Sequence, residues 1–198
     1  AEAVLTLHRL AQQLRARRFE RGSIAFDRPE VRFELDAEGR PLEVIIKESK
    51  PAHQLIEEFM LLANRTVAER IADATRRDIQ PPLRLEGKAP TFVYRVHEAP
   101  DEEKLHSLAD FVRPFGYQLR WQGRGEAVAK SLNELLAAIK GRPEEAMISM
   151  LAIRSMAKAR YTTTHIGHYG LGFENYTHFT SPIRRYPDLM VHRLLTRY

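Results

Sequence analysis

The sequence predicts an α+β fold, a mostly antiparallel sheet of short strands packed with five or six helices, and three observations predict it. Long stretches with apolar residues at three- and four-residue steps alternate with short strand-like runs bounded by turn chemistry. The chain has 198 residues, 43% hydrophobic and 29% charged, the balance of one ordinary globular unit. No window approaches the run of about 20 apolar residues that a membrane helix needs, and no charged-then-apolar leader opens the chain.

Residues 2–18 read as a helix, with Leu7, Leu10 and Leu14 on one stripe and Arg9, Arg15, Arg17 and Arg18 off it. Gly22 opens a strand-like stretch over 23–26, and further strands follow at 31–35 and 42–47. Between the last two, the run from Asp36 to Pro41 contains Gly39 and is turn chemistry, which predicts an antiparallel hairpin. The longest helical pattern runs from His53 to Ala72, where Ile56, Phe59, Met60, Ala63, Val67 and Ile71 recur at helical steps. Residues 78–90, with Pro81, Pro82, Gly87 and Pro90, form a connector, and Thr91 to Val96 reads as a strand. Asp101 to Phe115 is a helix that Gly116 caps, 121–126 is a loop, and two more helices follow at 128–139 and 143–159. Pro143 fits the first turn of the second, with Glu144 and Glu145 behind it.

The absence of cysteine excludes disulfides, thiolate metal sites, iron–sulfur clusters and cysteine nucleophiles, and it suits a reducing, cytoplasmic compartment. Net charge is +5, distributed as +3 over residues 1–21, −3 over 22–150 and +5 over 151–198. Basic ends are a footprint of phosphate or nucleic-acid binding, and equally of a solvated basic surface. The chain opens inside one helical pattern and stops inside another, so we read residues 1–198 as a fragment of a larger domain.

Candidate chemistry concentrates between Tyr161 and Arg193. Gly167, Gly170 and Gly172 interleave with aromatics, which suggests an extended strand where another backbone or a ligand approaches closely. Tyr169, Phe173, Tyr176 and Phe179 are each more often core residues than platforms for stacked bases. Thr180-Ser181-Pro182 reads as a helix start, which puts Arg184 and Arg185 in the first turn, where the helix dipole disfavours cations. Exposed amides, the Ser181 hydroxyl and a guanidinium would all donate there, a ready site for a phosphate. One of the two arginines is expected to be held by a buried acid instead.

On the long helix, Glu57, Leu61 and Asn64 share a face, and we expect Glu57 to be partly buried and Glu58 to be solvated beside Arg65. His165, His168, His178, Asp188 and His192 offer metal-type ligands, but there is no H-E-x-x-H and no compact triad. Structural roles are the better reading for these histidines.

The run GHYGLGFENYTHFTSPIRRYPDLMVHR resembles the catalytic (RNB) domain of the ribonuclease II / ribonuclease R family, and most closely the ribonuclease R branch. RGSIAFDRPEVRFEL, IEEFMLLAN and YRVHEAPDEEKL have counterparts in the same order, so the resemblance covers essentially the whole chain. It implies a magnesium-dependent, processive 3′→5′ hydrolysis of single-stranded RNA to nucleoside 5′-monophosphates. It also implies that Arg184 stabilises the scissile phosphate, Glu57 binds the terminal ribose and Phe26 stacks on the last base, with Arg185, Tyr176 and Ser181 joining them in contact with RNA.

One departure governs the expectation. That family holds its metal with a D-x-x-x-x-x-D-x-D-D type cluster, and here Asp27, Asp36, Asp73, Asp78, Asp101, Asp110 and Asp188 are scattered. No metal ligand is assigned in this chain, and the flanking OB-type RNA-binding domains are absent too. The isolated chain is therefore expected to be inactive, to carry the phosphate and 3′-end half of the site, and to associate through apolar surface left exposed. The competing reading is a non-catalytic basic module for single-stranded RNA.

Overall fold

The computed structural model describes residues 2–26, 30–47, 49–74, 91–121 and 125–198. In chain order these form α1 (Glu2–Glu20), β1 (Glu30–Leu35), β2 (Pro41–Lys47), α2 (Pro51–Ala74), β3 (Tyr94–Val96), α3 (Glu102–Val112), α4 (Glu126–Ile139), α5 (Glu145–Ser155), β4 (Arg160–Thr162) and α6 (Tyr186–Arg197). The class is the α+β one that the periodicity predicts. Among the described residues its strands form two separate antiparallel ladders, β1–β2 and β3–β4, and not one sheet. The connector at 78–90 lies outside the described residues, as do the centre of the 121–126 loop and the 27–29 segment after Phe26.

Three apolar clusters organise the chain. Leu105, Leu108 and Val112 of α3 interlock with Leu132, Leu135 and Ile139 of α4 and with Ile148 and Ala152 of α5, the largest cluster. A second joins Ala68 and Ile71 of α2, Phe92, β3 and Val191 of α6. The third is small, Leu61 with Phe173 and Tyr176, and it fastens α2 to the glycine-rich segment. Local chemistry sets the ends of α3: the Asp101 carboxylate accepts the Glu103 and Lys104 amides at its start. At the other end a short 3-10 turn over Arg113–Phe115 passes to Gly116, which is left-handed at φ +84°.

The hairpin forms as the turn chemistry predicts, with Asp36 Oδ1 accepting the Glu38 and Arg40 amides. Phe33 pairs opposite Val44, and both side chains are more than half exposed, as is Val31. Other expectations change. The 23–26 stretch is not a strand, because Asn133 of α4 takes the partner's place: its Oδ1 accepts the Ala25 amide and its Nδ2 donates to the Ser23 carbonyl. Helix α5 begins at Glu145, after Pro143, since turns at Arg142 and Glu145 use the intervening backbone. No described helix is long and apolar enough to cross a membrane.

Candidate functional site

Helix α6 begins at Tyr186, four residues later than a start at Pro182 would place it. Residues 181–185 instead form a tight turn in which the Ser181 carbonyl accepts both the Arg184 and the Arg185 amides. Asp188, fully buried in the first turn of α6, closes that turn by accepting the Ser181 amide through Oδ1 at 2.8 Å. The same oxygen accepts Arg185 Nη2 at 2.8 Å. The two arginines thus precede the helix, and at the N-cap position the charge of Arg185 is offset by Asp188.

Their fates differ. Arg185 is held by the buried acid, whereas the Arg184 guanidinium is exposed and has no ion pair among the described residues. The Ser181 hydroxyl is also without a partner there. A free guanidinium, a free hydroxyl and a turn that fixes both make a local donor site for an oxyanion.

Asn64 of α2 braces the chain leading to this turn. Its Oδ1 accepts the Phe179 and Thr180 amides at 2.9 and 3.2 Å, and its Nδ2 donates to the Tyr176 hydroxyl at 3.1 Å. Tyr176 is 5% exposed and packs with Leu61 and Phe173, so it serves here as a core residue with one polar handle. His178 adjoins it, with ring centroids 5.7 Å apart, and its Nδ1 is 2.6 Å from the Tyr161 hydroxyl. Burial first, and then the nearby Arg185, Arg95 and Arg184 charges, together push the His178 imidazole down to about 4, against Asp188. A neutral ring therefore sits among three cations near pH 7.

The expectation for the two glutamates is reversed. Glu58 is 3% exposed and accepts a side-on fork from Arg18, whose Nη2 is 2.5 Å from Oε1 and whose Nε is 3.3 Å from Oε2. Glu57 is 49% exposed, 3.5 Å from the same guanidinium. Arg18 lies forty residues upstream, so nothing local to the helix marks Glu58 as the buried member. Nor does Arg65 pair with Glu58; its Nε is 2.9 Å from Glu69 on the same helix. With 1.5 Å of rise per residue, exposed Glu57 stands roughly 10 Å along α2 from Asn64. Phe26 packs, partly buried, against the α3–α4–α5 cluster, and no described contact joins it to Arg184.

The glycine-rich stretch is a 3-10 turn over Tyr169–Leu171 and not an extended strand, but the expected close approach is present. A Cβ on Gly172 would lie 2.7 Å from the Arg21 carbonyl oxygen, and one on Gly170 would lie 2.8 Å from His97 Nδ1. His97 accepts the Gly170 amide at Nδ1 while its Nε2 is 2.7 Å from the Ala157 carbonyl, which fixes a neutral ring with its proton on Nε2. His192 is likewise committed, its Nε2 3.0 Å from the Phe179 carbonyl. Among the described residues no three His, Asp or Glu side chains converge as a metal-ligand set, so the residues described do not fit a bound divalent ion. Sequence reasoning missed Arg18 and Arg95, which reach their partners from distant elements.

This helical core with its braced S-P-I-R-R turn defines the chain's class. The RNB domain model matches residues 1–198, and the chain belongs to that family. Within it, the chain is 41% identical over 192 residues to ribonuclease R of Aquifex aeolicus (strain VF5), covering 97% of this chain and 24% of that protein. The chain thus spans about a quarter of the length of this relative. Mycoplasma genitalium RNase R in complex with ribose-methylated single-stranded RNA superposes with a TM-score of 0.85 at 28% identity, over 100% of this chain and 28% of that one. The same enzyme in complex with double-stranded RNA gives 0.83 at 28% identity, over 98% and 32%.

Proposed function

We propose that this chain is part of the catalytic domain of a cytoplasmic 3′→5′ exoribonuclease that hydrolyses single-stranded RNA to nucleoside 5′-monophosphates. Within that enzyme it supplies the half of the site that grips the scissile phosphate and the 3′ end. The observation that carries the reading is the unequal pair Arg184 and Arg185. Asp188 consumes one charge and leaves the other free on the turn whose backbone Ser181 closes.

Arg184 neutralises charge on the scissile phosphate, and Ser181 donates a further hydrogen bond. Arg185 acts from behind, holding the turn and adding to the positive field. Exposed Glu57 accepts from the terminal ribose hydroxyls, which selects a free 3′ end. In this reading Phe26 stacks on the last base from the rim of the helical core, and Tyr176 supports the floor under the strand. Magnesium, when bound, supplies the activated hydroxide in such enzymes. Its ligands belong to a part of the enzyme outside this chain, so residues 1–198 alone are expected to be inactive.

The test is a magnesium-supplemented assay on 3′-labelled single-stranded RNA with nuclease-free protein, run beside Arg184→Ala. Binding without cleavage, lost in the variant, is the expected result. Arg184-dependent release of monophosphates would show that these residues hold the metal after all.

The other reading is a non-catalytic module for single-stranded RNA that would use Arg184, Arg185 and the N-terminal arginines, of which Arg17, Arg21 and Arg184 are exposed. Both predict affinity that falls steeply with salt. An aspartate cluster encoded just upstream in the gene decides for the enzyme. Self-association through the exposed Val31, Phe33 and Val44 face belongs to the same proposal. Sedimentation of wild type against Phe33→Lys tests it, with a concentration-dependent dimer expected only in the wild type.

A further inference from the structure

A second cationic site lies on the seam between α1 and α2. A cavity of about 80 Å³ is lined there by Arg17, Arg18, Arg21 and Arg65, with Glu58 and Phe173 among the other walls. The charges do not cancel. Arg18 is spent on Glu58, on Glu57 at 3.5 Å and on the Ser23 hydroxyl, at 2.8 Å from Nη1, and Arg65 has Glu69 beside it. Arg17 and Arg21 are exposed and form no ion pair among the described residues.

Arg65 carries the second observation. Its guanidinium sits over the Phe173 ring, 5.5 Å from the centroid. Glu69 Oε1 is 2.9 Å from its Nε but off the N–H axis, so this buried donor has no in-line acceptor. A buried N–H without an in-line acceptor is a cost that folding leaves without an offset. An anion in the cavity would satisfy it.

Cations in the last turn of a helix also complement its dipole, which accounts for Arg17 and Arg18 being in α1. It covers Arg21 as well, whose amide still bonds the Arg17 carbonyl, but it does not account for Arg65 reaching in from α2. The volume narrows the ligand, being far below the roughly 300 Å³ at which sites for drug-sized molecules begin. It suits one tetrahedral oxyanion and no nucleoside. We propose that Arg17, Arg21 and Arg65 form a phosphate-binding pocket, with Phe173 as its apolar wall and Arg18 reserved to neutralise Glu58.

The pocket adjoins the site above through a row of rings. Phe173 lies 5.7 Å from Tyr176, and Tyr176 lies 5.7 Å from His178. A strand gripped at Arg184 therefore has a second anchor for one of its backbone phosphates, a placement that rests on the proposed function. Free phosphate shares the same chemistry.

The test follows the arginine Nε–Hε resonances of the intact chain during titration with inorganic phosphate at constant ionic strength. A saturable shift of Arg65 is expected, with Kd raised about tenfold or more in the Arg17→Gln/Arg21→Gln double variant. Both replaced side chains are exposed, and an unchanged backbone spectrum verifies the fold. A linear, unsaturated response, or an equal Kd in the double variant, overturns the pocket. A second arm adds oligouridylate. Displacement of phosphate by RNA assigns the pocket to a backbone phosphate, whereas lost phosphate binding with unchanged RNA affinity assigns it to free phosphate. Arg184→Ala separates the two readings, since it should weaken RNA binding and leave the phosphate titration intact.

Discussion

Asp188 accepts Arg185 Nη2 at 2.8 Å through the same oxygen that accepts the Ser181 amide, so one fully buried carboxylate closes the turn that projects Arg184. Sequence adjacency of the two arginines conceals a division of labour. Arg185 is structural and Arg184 is available.

This division predicts unequal stability effects. Asp188→Ala strands a partly buried guanidinium and a backbone amide, and should cost about 3–5 kcal/mol, the range for breaking a buried pair. Arg184→Ala removes an exposed side chain and should stay within about 0.5 kcal/mol. Urea unfolding of both variants measures the difference. Equal losses would show that Arg184 is structural as well.

The adjacent glutamates should separate in the same way. Glu58→Gln takes the close carboxylate from Arg18, 6% exposed, leaving it only the more distant Glu57 at 3.5 Å, and should destabilise by about 3 kcal/mol or more. Glu57→Gln should be nearly neutral for folding. In an RNA-binding assay it should instead reduce the preference for a 3′-hydroxyl over a 3′-phosphate end.

Much of the fold was legible because helical periodicity and turn chemistry are local. The helix at 102–112 with its Asp101 cap and Gly116 stop, and the 36–41 hairpin turn, need no distant partner to be recognised. The failures share one cause. Glu58 is buried by Arg18 and residues 23–26 are satisfied by Asn133, each from another element, and the turn before α6 is closed by Asp188, a residue of α6 whose burial depends on tertiary packing. The functional motif was legible as a run of residue types. Which arginine was free was not, because that depends on where one carboxylate is buried.

Close packing at Gly172 gives a backbone prediction. The residue is left-handed at φ +63°, and an added Cβ would meet the Arg21 oxygen at 2.7 Å and the Ser23 amide at 3.1 Å. Gly172→Ala should therefore destabilise by about 2 kcal/mol or more, combining strain with a clash against backbone that cannot swing away. Hydrogen exchange should rise first at Ser23 and Ile24, whose amides are bound to Arg18 and Gly170 carbonyls. Uniform loosening without that local increase would show that the contact is not tight.

Two half-buried histidines set an acid limit on stability. His168 is pushed down to about 3 by burial and then by the neighbouring His97 and Arg95 charges, while His178 falls to about 4. Both have an unfolded value near 6.5. Their folded values are depressed, so above about pH 6.5 neither state carries the extra protons and no penalty applies. Below it the unfolded chain gains protons that the folded chain refuses, and stability drops as pH falls toward the folded values. The clean window is pH 6.5 to about 5, before most carboxylates begin to titrate. His168→Phe removes one of these titrations and also removes a buried Nδ1 that lacks a hydrogen-bond partner. The midpoint of urea unfolding should therefore fall less between pH 7.5 and 5 in this variant than in the wild type. An identical fall in both would mean that His168 is protonated in the folded state, at odds with the apolar enclosure formed around it by Tyr176 and His97.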